Sequence, residues 1–496
     1  MAEVRREEFD EEMERREYRH RRRIRNQIIA YIFAVLMLAA LAGGIIFGIH
    51  RLITLINDKK QEQELQRQME EMQNNQEDPG VVEAPQTPEE EPVVEEEKSH
   101  LDEIVDACIA EMPLEDKVTG LFIITPEVLT DTGVVVRAGD TTKEKLRECA
   151  IGGLIYSEQN MKSADQFKEM ISNTKGWSKY PLFIAVEEEG GSVSRVAKSG
   201  LAENVGSMAK VGESGDSVQA REKSNAIAAY LADYGFNLDF APVADVLLEG
   251  NTMLADRSFG SIAENVSVMV SASVEGLQEN GVSACLKHFP GLGSTLEDTG
   301  AGMAVCDKTL EDFQTTDFLA FQSGINVGAD FVMVSHLSLP NITGDNTPAS
   351  LSDKMITEIL RGQMGFNSVV ITDAMNKGAI TEYYTADEAA VKALLAGADM
   401  ILIPEDFQLA RSGVLEAVNN GTLSEERIDE SLRRIYRIKY KDKAEELSGD
   451  MLEDMPEDGS GEASGDTPED SSGEAAGDPS GETSADPSGE APENNG

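Results

Sequence analysis

Residues 282–293, VSACLKHFPGLG, form the stretch of sequence that decides the fold. An apolar run ends in Lys287 and His288, and the chain then enters a loop that contains Pro290 and two glycines. Strands that turn sharply into such loops are where α/β barrels place their catalytic groups. A buried strand end with a hydrogen-bonded histidine is the plainer interpretation of this stretch alone, so the rest of the chain must decide.

Eight short apolar runs, this one included, recur between residues 100 and 448, and amphipathic helical patterns lie between most of them. The runs cover residues 120–124, 151–156, 182–186, 238–243, 282–286, 331–334, 368–371 and 400–403. Helical patterns cover residues 217–234, 264–280, 310–324, 352–363 and 386–396. Eight strands that alternate with helices predict an α/β fold, a (β/α)8 TIM-type barrel. Other α/β folds also fit this alternation.

The first 99 residues predict attachment to a membrane. Residues 1–27 are rich in arginine, whereas residues 28–49 contain no charged residue. An apolar run of about 22 residues is long enough to cross a bilayer as a helix. The arginines before it predict a single-pass cell-membrane protein with a cytoplasmic N-terminus and an extracellular barrel. Residues 50–99 read as a polar stalk followed by an acidic, proline-rich linker.

The composition argues against nucleic acid as a partner and against a metal site. The chain has 91 acidic and 43 basic residues, which argues against nucleic acid because phosphates need clustered cations. Residues 449–496, acidic and rich in Ser, Gly and Pro, predict a disordered tail.

No cofactor or metal is expected, since the cysteines lack metal-binding spacing. Buried free thiols are favoured over a disulfide for the four of them, Cys108, Cys149, Cys285 and Cys306, with Cys285–Cys306 as the alternative pair.

Polar side chains follow nearly every apolar run, at the end that a barrel turns toward its active site. They include Glu187, Glu188, Glu189, Arg195, Asp245, Arg257, Lys287, His288, His336, Asp373, Glu405 and Asp406. Because the C-terminal ends of barrel strands share one face, we expect these side chains to converge. Carboxylates with a few cations suit sugar binding and glycosidic cleavage, in which two acid or base groups flank the scissile bond.

Five motifs, in this order along the chain, resemble those of glycoside hydrolase family 3. They are residues 187–195, NLDFAPVADV at 237–246, DRSFG at 256–260, KHFPGLG at 287–293 and VITDAMNKGAI at 370–380. The resemblance covers about residues 101–440 and is strongest to the single-domain β-N-acetylglucosaminidase (β-hexosaminidase) branch. It implies a barrel that hydrolyses O-glycosyl bonds with retention of configuration and that binds a carbohydrate substrate.

The resemblance also implies roles for individual residues. Asp373 matches the catalytic nucleophile, which attacks the anomeric carbon and forms a covalent glycosyl-enzyme. Glu187 stands where the family usually has Asp and would bind distal hydroxyls of the sugar. Lys287 and Arg257 are expected to lie near Asp373 and to hold its pKa down. Lys287, His288 and Arg257 also match residues that hold the sugar in subsite −1. Arg195 and His336 are likewise assigned to substrate binding.

One position departs from the family pattern. The resemblance places a general acid/base histidine after the KHFPG motif, in an Asp-Ser/Thr-His triplet whose Asp orients the imidazole. The matching residues here are Asp298, Thr299 and Gly300, so the aspartate of this dyad is present and its histidine partner is missing. Glu297 or Asp298 could substitute, because a loop carboxylic acid with a raised pKa can protonate a leaving oxygen.

The sequence therefore predicts a membrane-anchored extracellular glycosidase that removes terminal β-linked N-acetylglucosamine from cell-wall or environmental glycans. Two alternatives stay open. The missing histidine fits a catalytically impaired barrel that binds cell-wall sugars such as peptidoglycan fragments. A β-glucosidase-like or β-xylosidase activity is the other alternative, although such family members usually rely on an additional domain.

Overall fold

A computed structural model of the chain describes residues 99–441. Within that range, no helix is long and apolar enough to cross a membrane. The segments predicted at 1–27, 28–49 and 449–496, and all of 50–99 except Ser99, lie outside the described residues. The described residues therefore cover the predicted barrel, residues 100–448, as far as residue 441.

Eight parallel strands form the barrel that the eight apolar runs predicted. Within residues 99–441 the strands are β1 (Phe122–Ile124), β2 (Gly153–Ile155), β3 (Phe183–Val186), β4 (Leu238–Asp239), β5 (Ser283–Phe289), β6 (Phe331–Val334), β7 (Val369–Thr372) and β8 (Ile401–Leu402). Hydrogen bonds join them in the order β7-β6-β5-β4-β3-β2-β1-β8, and a bridge between Ile371 and Met400 brings β7 against the start of β8. The result is a nearly closed TIM-type barrel, as predicted from the sequence.

Helices follow the strands in alternation. Those after β1 to β8 are α1 (Asp140–Glu148), α2 (Ala164–Trp177), α3 (Ser217–Tyr234), α4 (Ala263–Gln278), α5 (Asp317–Asn326), α6 (Lys354–Gln363), α7 (Ala386–Leu395) and α8 (Phe407–Asn419), of which α6 has π-helical hydrogen bonds. Further helices are His100–Ala110, Leu114–Thr119, Pro126–Thr130, Arg195–Lys198, Met208–Ser214, Leu310–Thr315, Pro340–Thr343, Gly378–Thr381 and Glu425–Lys439. Single 3₁₀ turns span Glu158–Asn160, Leu292–Ser294 and Ala349–Leu351. Two short strand pairs, Glu188–Gly190 with Val193–Ser194 and Ala304–Val305 with Leu337–Ser338, lie outside the barrel sheet.

Local sequence signals set the helix boundaries. Ser163 begins α2 because its side chain accepts the backbone N–H of Gln166 while the Gln166 side chain accepts that of Ser163. Gly235 ends α3 in the left-handed conformation, with φ of 87°. The predicted helix at 217–234 therefore agrees with α3 at both ends.

Aromatic and aliphatic side chains fill the barrel interior. Phe122, Ile123 and Ile124 of β1 are all fully buried, because one face of each strand points into the barrel and the other packs against helices. Phe183 of β3 and Phe331 of β6 make an edge contact with ring centroids 5.1 Å apart. Since β3 and β6 are not neighbours in the sheet, these two rings meet across the interior. Burying each of these rings contributes about 1.5–3 kcal/mol to the stability of the fold.

Strand β5 extends further than its apolar run predicted. The run ends at residue 286, whereas β5 continues to Phe289, so Lys287 and His288 belong to the strand itself and not to the following loop. The peptide bond between Lys287 and His288 is cis. Both side chains are buried, and they enter the active-site end of the barrel from this strand.

The helical pattern at 310–324 is interrupted in the structure at Thr316, where the backbone leaves the helical conformation. The break turns Asp317 inward, where its carboxylate accepts hydrogen bonds from Ser294 Oγ at 2.8 Å and Lys308 Nζ at 2.6 Å. Asp317 also explains the glycine of the KHFPG motif, since a Cβ at Gly291 would collide with this carboxylate and φ there is 141°. A buried polar contact thus overrides the helical pattern.

Candidate active site

The C-terminal ends of the barrel strands gather the charged residues that the sequence placed there. Glu187 follows β3, Asp245 follows β4, Lys287 and His288 lie in the second half of β5, and Asp373 follows β7. Parallel barrel strands present these ends on one face of the molecule. The arrangement therefore brings residues distant in sequence into one candidate site.

Lys287 is the centre of a buried ion-pair cluster, which we call the Lys287 cluster. Its Nζ atom lies 2.5 Å from Glu189 Oε1 and 3.4 Å from Glu187 Oε1. Arg257 donates two hydrogen bonds of 2.7 Å to Glu189, from Nε and Nη2. Arg195 donates one of 2.8 Å to Glu187 Oε2. The structure thus joins four of the predicted substrate-binding residues and adds Glu189 as the residue that ties them together.

The Lys287 cluster is charged throughout. Burial by itself would raise the pKa of Glu187, but the charges of Lys287 and Arg195 outweigh it and lower the pKa to about 2. The pKa of Glu189 is lowered in the same way by Lys287 and Arg257. Burial would lower the pKa of Lys287, but the two glutamates raise it. Removing one member of such a buried ion pair lowers the free energy of unfolding by about 3–5 kcal/mol, because the charge of its partner stays buried without an opposite charge.

The members of this cluster differ in their access to solvent. The side chains of Lys287 and Glu189 are 0% and 1% exposed, whereas those of Glu187 and Arg195 are 32% and 29% exposed. Glu187 and Arg195 are therefore the members that can contact a bound ligand directly. Glu189 acts through Lys287 and Arg257, whose positions it fixes.

His288 is held by Asp245. Its Nδ1 atom lies 2.8 Å from Asp245 Oδ2, and its backbone N–H donates to the same oxygen at 3.2 Å. The second oxygen of Asp245 accepts the backbone N–H of Gly293 at 3.2 Å. One carboxylate thus holds both ends of the KHFPGLG motif, and it directs His288 so that Nε2 is the nitrogen left for a ligand.

Asp373 is buried at the end of β7, and its two oxygens have different partners. Oδ1 accepts the backbone N–H of Ala374 at 2.7 Å, and Oδ2 lies 2.5 Å from Lys377 Nζ. Burial would raise the pKa of Asp373, but the positive charge of Lys377, with those of His336 and His288 when these imidazoles are protonated, outweighs it and holds the pKa far below the usual range. The carboxylate is therefore ionised, as a nucleophile requires.

The sequence-based choice of cations around Asp373 is corrected by the structure. Lys287 and Arg257 were expected to keep this carboxylate ionised, but both are bound to Glu189. Lys377 supplies the nearest positive charge, because it lies four residues after Asp373 and folds back onto it.

His336 is fully buried, and both of its ring nitrogens are hydrogen-bonded. Nδ1 lies 2.7 Å from Ser350 Oγ, and Nε2 lies 2.9 Å from the Ala374 carbonyl oxygen. A carbonyl only accepts, so Nε2 carries the proton and Nδ1 accepts from Ser350. His336 therefore fixes the backbone beside Asp373, and neither nitrogen is left for the sugar contact that the resemblance implied.

The burial of His336 predicts a pH-dependent stability. Burial lowers its pKa to about 4, from 6.5 for an unperturbed histidine. A lowered folded-state pKa contributes stability that is present above pH 6.5 and is lost as the pH falls toward 4. We expect the unfolding free energy in urea to fall by up to about 3 kcal/mol over this window, and by less in His336→Gln. The matched control is His100→Gln, at a half-exposed histidine, which should keep the wild-type slope; equal slopes in all three proteins would contradict the prediction.

The loop at 297–300 holds the position where the resemblance expects a proton donor. Glu297, Asp298 and Gly300 are exposed. Glu297 Oε2 accepts the backbone N–H of Val305, and Asp298 Oδ1 accepts that of Gly300, each at 2.8 Å. Asp298 thus closes a local turn, whereas Glu297 binds the backbone of the short strand Ala304–Val305. Asp298 is present as predicted, and no imidazole stands beside it at position 300.

The sequence pattern of the glycosyl hydrolase family 3 N-terminal domain matches residues 113–438. The chain belongs to glycoside hydrolase family 3. It is 33% identical over 299 residues to a β-hexosaminidase of Idiomarina loihiensis, covering 60% of this chain and 87% of that protein. A β-hexosaminidase of Xanthomonas campestris pv. campestris is 33% identical over 289 residues, covering 57% and 85%.

A solved family 3 structure has the same fold. It is a β-N-acetylglucosaminidase from Paenibacillus sp., which matches with a TM-score of 0.62 and 32% identity. The match covers 67% of this chain and 63% of that one, so the chain spans less than two thirds of that solved protein. Together with the β-hexosaminidase relatives, the family assignment makes this chain a glycosidase that hydrolyses O-glycosyl bonds.

Three residues of this family 3 site were not assigned a role from the sequence: Glu189, Asp245 and Lys377. Glu189 and Asp245 were noted only as polar residues at strand ends. Lys377 gave no signal of this kind, because it lies in the irregular segment between β7 and the helix Gly378–Thr381, where sequence spacing does not fix a side chain's partner. Within residues 99–441, no group of three or more His, Cys, Asp or Glu side chains is arranged to bind a metal ion. All four cysteines are free thiols, Cys285 and Cys306 buried, and no disulfide joins that pair.

Proposed function

We propose that this protein is a retaining β-N-acetylhexosaminidase that removes terminal β-linked N-acetylglucosamine from cell-wall or environmental glycans. The observation that carries the proposal is Asp373. It is an ionised, buried carboxylate with one oxygen fixed by the Ala374 N–H and the other directed at Lys377. A carboxylate held in this way can attack an anomeric carbon and form a glycosyl ester that water then hydrolyses.

The Lys287 cluster would hold the sugar during this reaction. Sugar hydroxyls both donate and accept hydrogen bonds, and the exposed atoms of Glu187 and Arg195 offer an acceptor beside a donor. His288 Nε2 would approach the ring from β5. Because Glu189 fixes Lys287 and Arg257, the polar groups need little reorganisation when the charge of the transition state develops.

We place the barrel outside a cell membrane, attached through residues 28–49. This placement is supported by the uncharged 28–49 segment and by the arginines before it. A hydrolase held away from the membrane by residues 50–99 would meet glycans of the cell wall. Accessibility of the barrel to protease added to intact cells tests this placement, and protection of the barrel would contradict it.

The second candidate function is a sugar-binding barrel without turnover, and Gly300 is the observation that favours it. The two are separated by 4-nitrophenyl β-N-acetylglucosaminide, because 4-nitrophenolate leaves without a proton. We expect nitrophenol release, with the β-anomer of N-acetylglucosamine appearing first in proton NMR spectra. Binding of the sugar without release would establish the second function, and the α-anomer appearing first would exclude a covalent intermediate.

A further inference from the structure

We propose that Lys377 is the general acid/base of this enzyme: its ammonium group donates the proton to the leaving oxygen and later recovers one from water. This inference rests on the proposed hydrolase function and adds the residue that transfers the proton. Within residues 99–441, Asp373 forms one ion pair, and its partner is Lys377 at 2.5 Å. The contact is made by Oδ2, the oxygen that the Ala374 N–H leaves for the reaction.

Lys377 differs from Lys287 and Arg257 in its freedom to move, and from the equally exposed Arg195 in having a proton that it can release. Lys287 is fully buried between two glutamates, and Arg257 is locked by two hydrogen bonds to Glu189. The Lys377 side chain is 29% exposed, so part of it is in contact with solvent. A lysine ammonium on a flexible four-carbon stem has three donor protons and can reorient when a sugar enters.

The other proton-bearing groups near Asp373 are committed elsewhere. His288 Nδ1 contacts Asp245, and the family resemblance assigns the other ring nitrogen, Nε2, to sugar binding. His336 uses both of its nitrogens. Asp298 and Glu297 are exposed to solvent; Asp298 accepts the N–H of Gly300 in its own turn, and Glu297 accepts the N–H of Val305. None of these four side chains is hydrogen-bonded to the Asp373 carboxylate, whereas Lys377 is.

Lys377 also stands beside the position where the histidine is missing. The Gly300 carbonyl accepts the N–H of Gly378 at 3.2 Å, and the Thr299 carbonyl accepts that of Ala379 at 3.0 Å. The loop that would carry the histidine is therefore bound to the two residues directly after Lys377. A long side chain from position 377 can reach the region that a side chain at position 300 would occupy.

The proposed reaction is balanced in both steps. In the first, a lone pair of Asp373 Oδ2 forms a bond to the anomeric carbon while the bond to the leaving oxygen breaks, and that oxygen takes a proton from Lys377 Nζ. Formation of the ester removes the negative charge of Asp373, which favours release of the proton from its ion-pair partner. In the second, the neutral amine takes a proton from water, and the water oxygen forms a bond to the anomeric carbon while the bond between that carbon and Asp373 Oδ2 breaks. The Asp373 carboxylate and the Lys377 ammonium are then restored.

The test compares Lys377→Met and Lys377→Arg with the full-length wild type on two substrates. N,N′-diacetylchitobiose needs protonation of its leaving oxygen, and 4-nitrophenyl β-N-acetylglucosaminide does not. We expect kcat/KM for the disaccharide to fall about 10²–10⁴-fold in both variants, with a much smaller change for the nitrophenyl substrate. Arginine keeps the charge but does not release its proton in proteins, so it separates proton transfer from charge.

Azide provides a second measurement. It attacks the glycosyl-enzyme without losing a proton, so it should raise kcat of Lys377→Met on the nitrophenyl substrate and yield the β-glycosyl azide. The matched control is Lys354→Met, at a lysine that also pairs with a carboxylate four residues away, Glu358, but lies on the exposed side of α6; it should keep wild-type kinetics. Glu382→Gln tests the exposed carboxylate next to Gly302 and should also leave the ratio of the two substrates unchanged.

Three results would overturn the assignment while leaving the proposed function intact. In the first, Lys377→Arg keeps the wild-type ratio of disaccharide to nitrophenyl turnover, which would make Lys377 a charge partner only. In the second, Lys377→Met speeds the cleavage of both substrates, which would mean that Lys377 hinders attack by Asp373 and does not supply a proton. In the third, the wild type cleaves the nitrophenyl substrate but not the disaccharide. A wild type that cleaves neither overturns the proposed function, and this role of Lys377 with it.

Discussion

Replacing Asp373 with Asn is expected to lower kcat/KM for 4-nitrophenyl β-N-acetylglucosaminide by at least about 10⁴-fold, because loss of a nucleophile removes the covalent route. An amide cannot attack the anomeric carbon as a carboxylate does, and it leaves Lys377 without its anionic partner. The activated leaving group makes this substrate sensitive to the nucleophile alone. Initial rates of nitrophenol release give the measurement.

A covalent adduct provides the direct evidence. When the wild type is quenched with acid during turnover, mass spectrometry should find one N-acetylglucosaminyl group on the peptide that contains Asp373. The Asp373→Asn variant should show none. The control is Asp233→Asn, which removes a surface carboxylate on α3 that pairs with Lys168 of α2 and should keep wild-type rates. Residual turnover in Asp373→Asn above about one hundredth of wild type would assign the attack to another group.

The barrel could be predicted from the sequence because its strands are buried on both faces. Such strands appear as short, continuous apolar runs, and all eight were found. Their exact ends were harder to place. The run at 238–243 corresponds to a two-residue strand, Leu238–Asp239, whereas β5 continues through the charged pair Lys287 and His288. Apolar character reports burial, but the hydrogen bonds to neighbouring strands decide where a strand ends.

The members of the site could also be predicted, but not their pairing. Residues at strand ends converge in a barrel whatever their identity, so Glu187, Lys287 and Asp373 followed from position. Which cation meets which carboxylate depends on side-chain directions in three dimensions. Glu189 therefore takes Lys287 and Arg257, and Lys377 takes Asp373. The neighbours Glu188 and Glu189 also could not be told apart from the sequence. Glu189 binds cations of the site, whereas Glu188 accepts hydrogen bonds from Tyr230 and from the backbone of Val196 and Ala197.

Gly300 offers a way to test the proton-transfer argument from the opposite side. We expect Gly300→His, introduced into Lys377→Met, to raise disaccharide cleavage at least about tenfold above Lys377→Met alone, since a positioned acid/base contributes 10²–10⁴-fold. The backbone at Gly300 lies outside the left-handed region, so a side chain is tolerated. Its Cβ would lie 3.1 Å from Asp298 Oδ1, the end of an exposed side chain that can move aside.

The new imidazole would stand next to Asp298, which can orient it and stabilise its protonated form. Gly300→Asn in the same background is the matched control, because it adds a side chain of similar reach that cannot exchange a proton. Adding Asp298→Asn should reverse part of the gain by removing the carboxylate partner. An imidazole that donates a proton in the first step must be protonated, so kcat/KM of the double variant for the disaccharide should fall as the pH rises past the imidazole pKa, near 6.5 for an unperturbed histidine. If Gly300→His and Gly300→Asn give the same rates, position 300 does not face the leaving oxygen, and the proximity of Lys377 to this loop loses its mechanistic meaning.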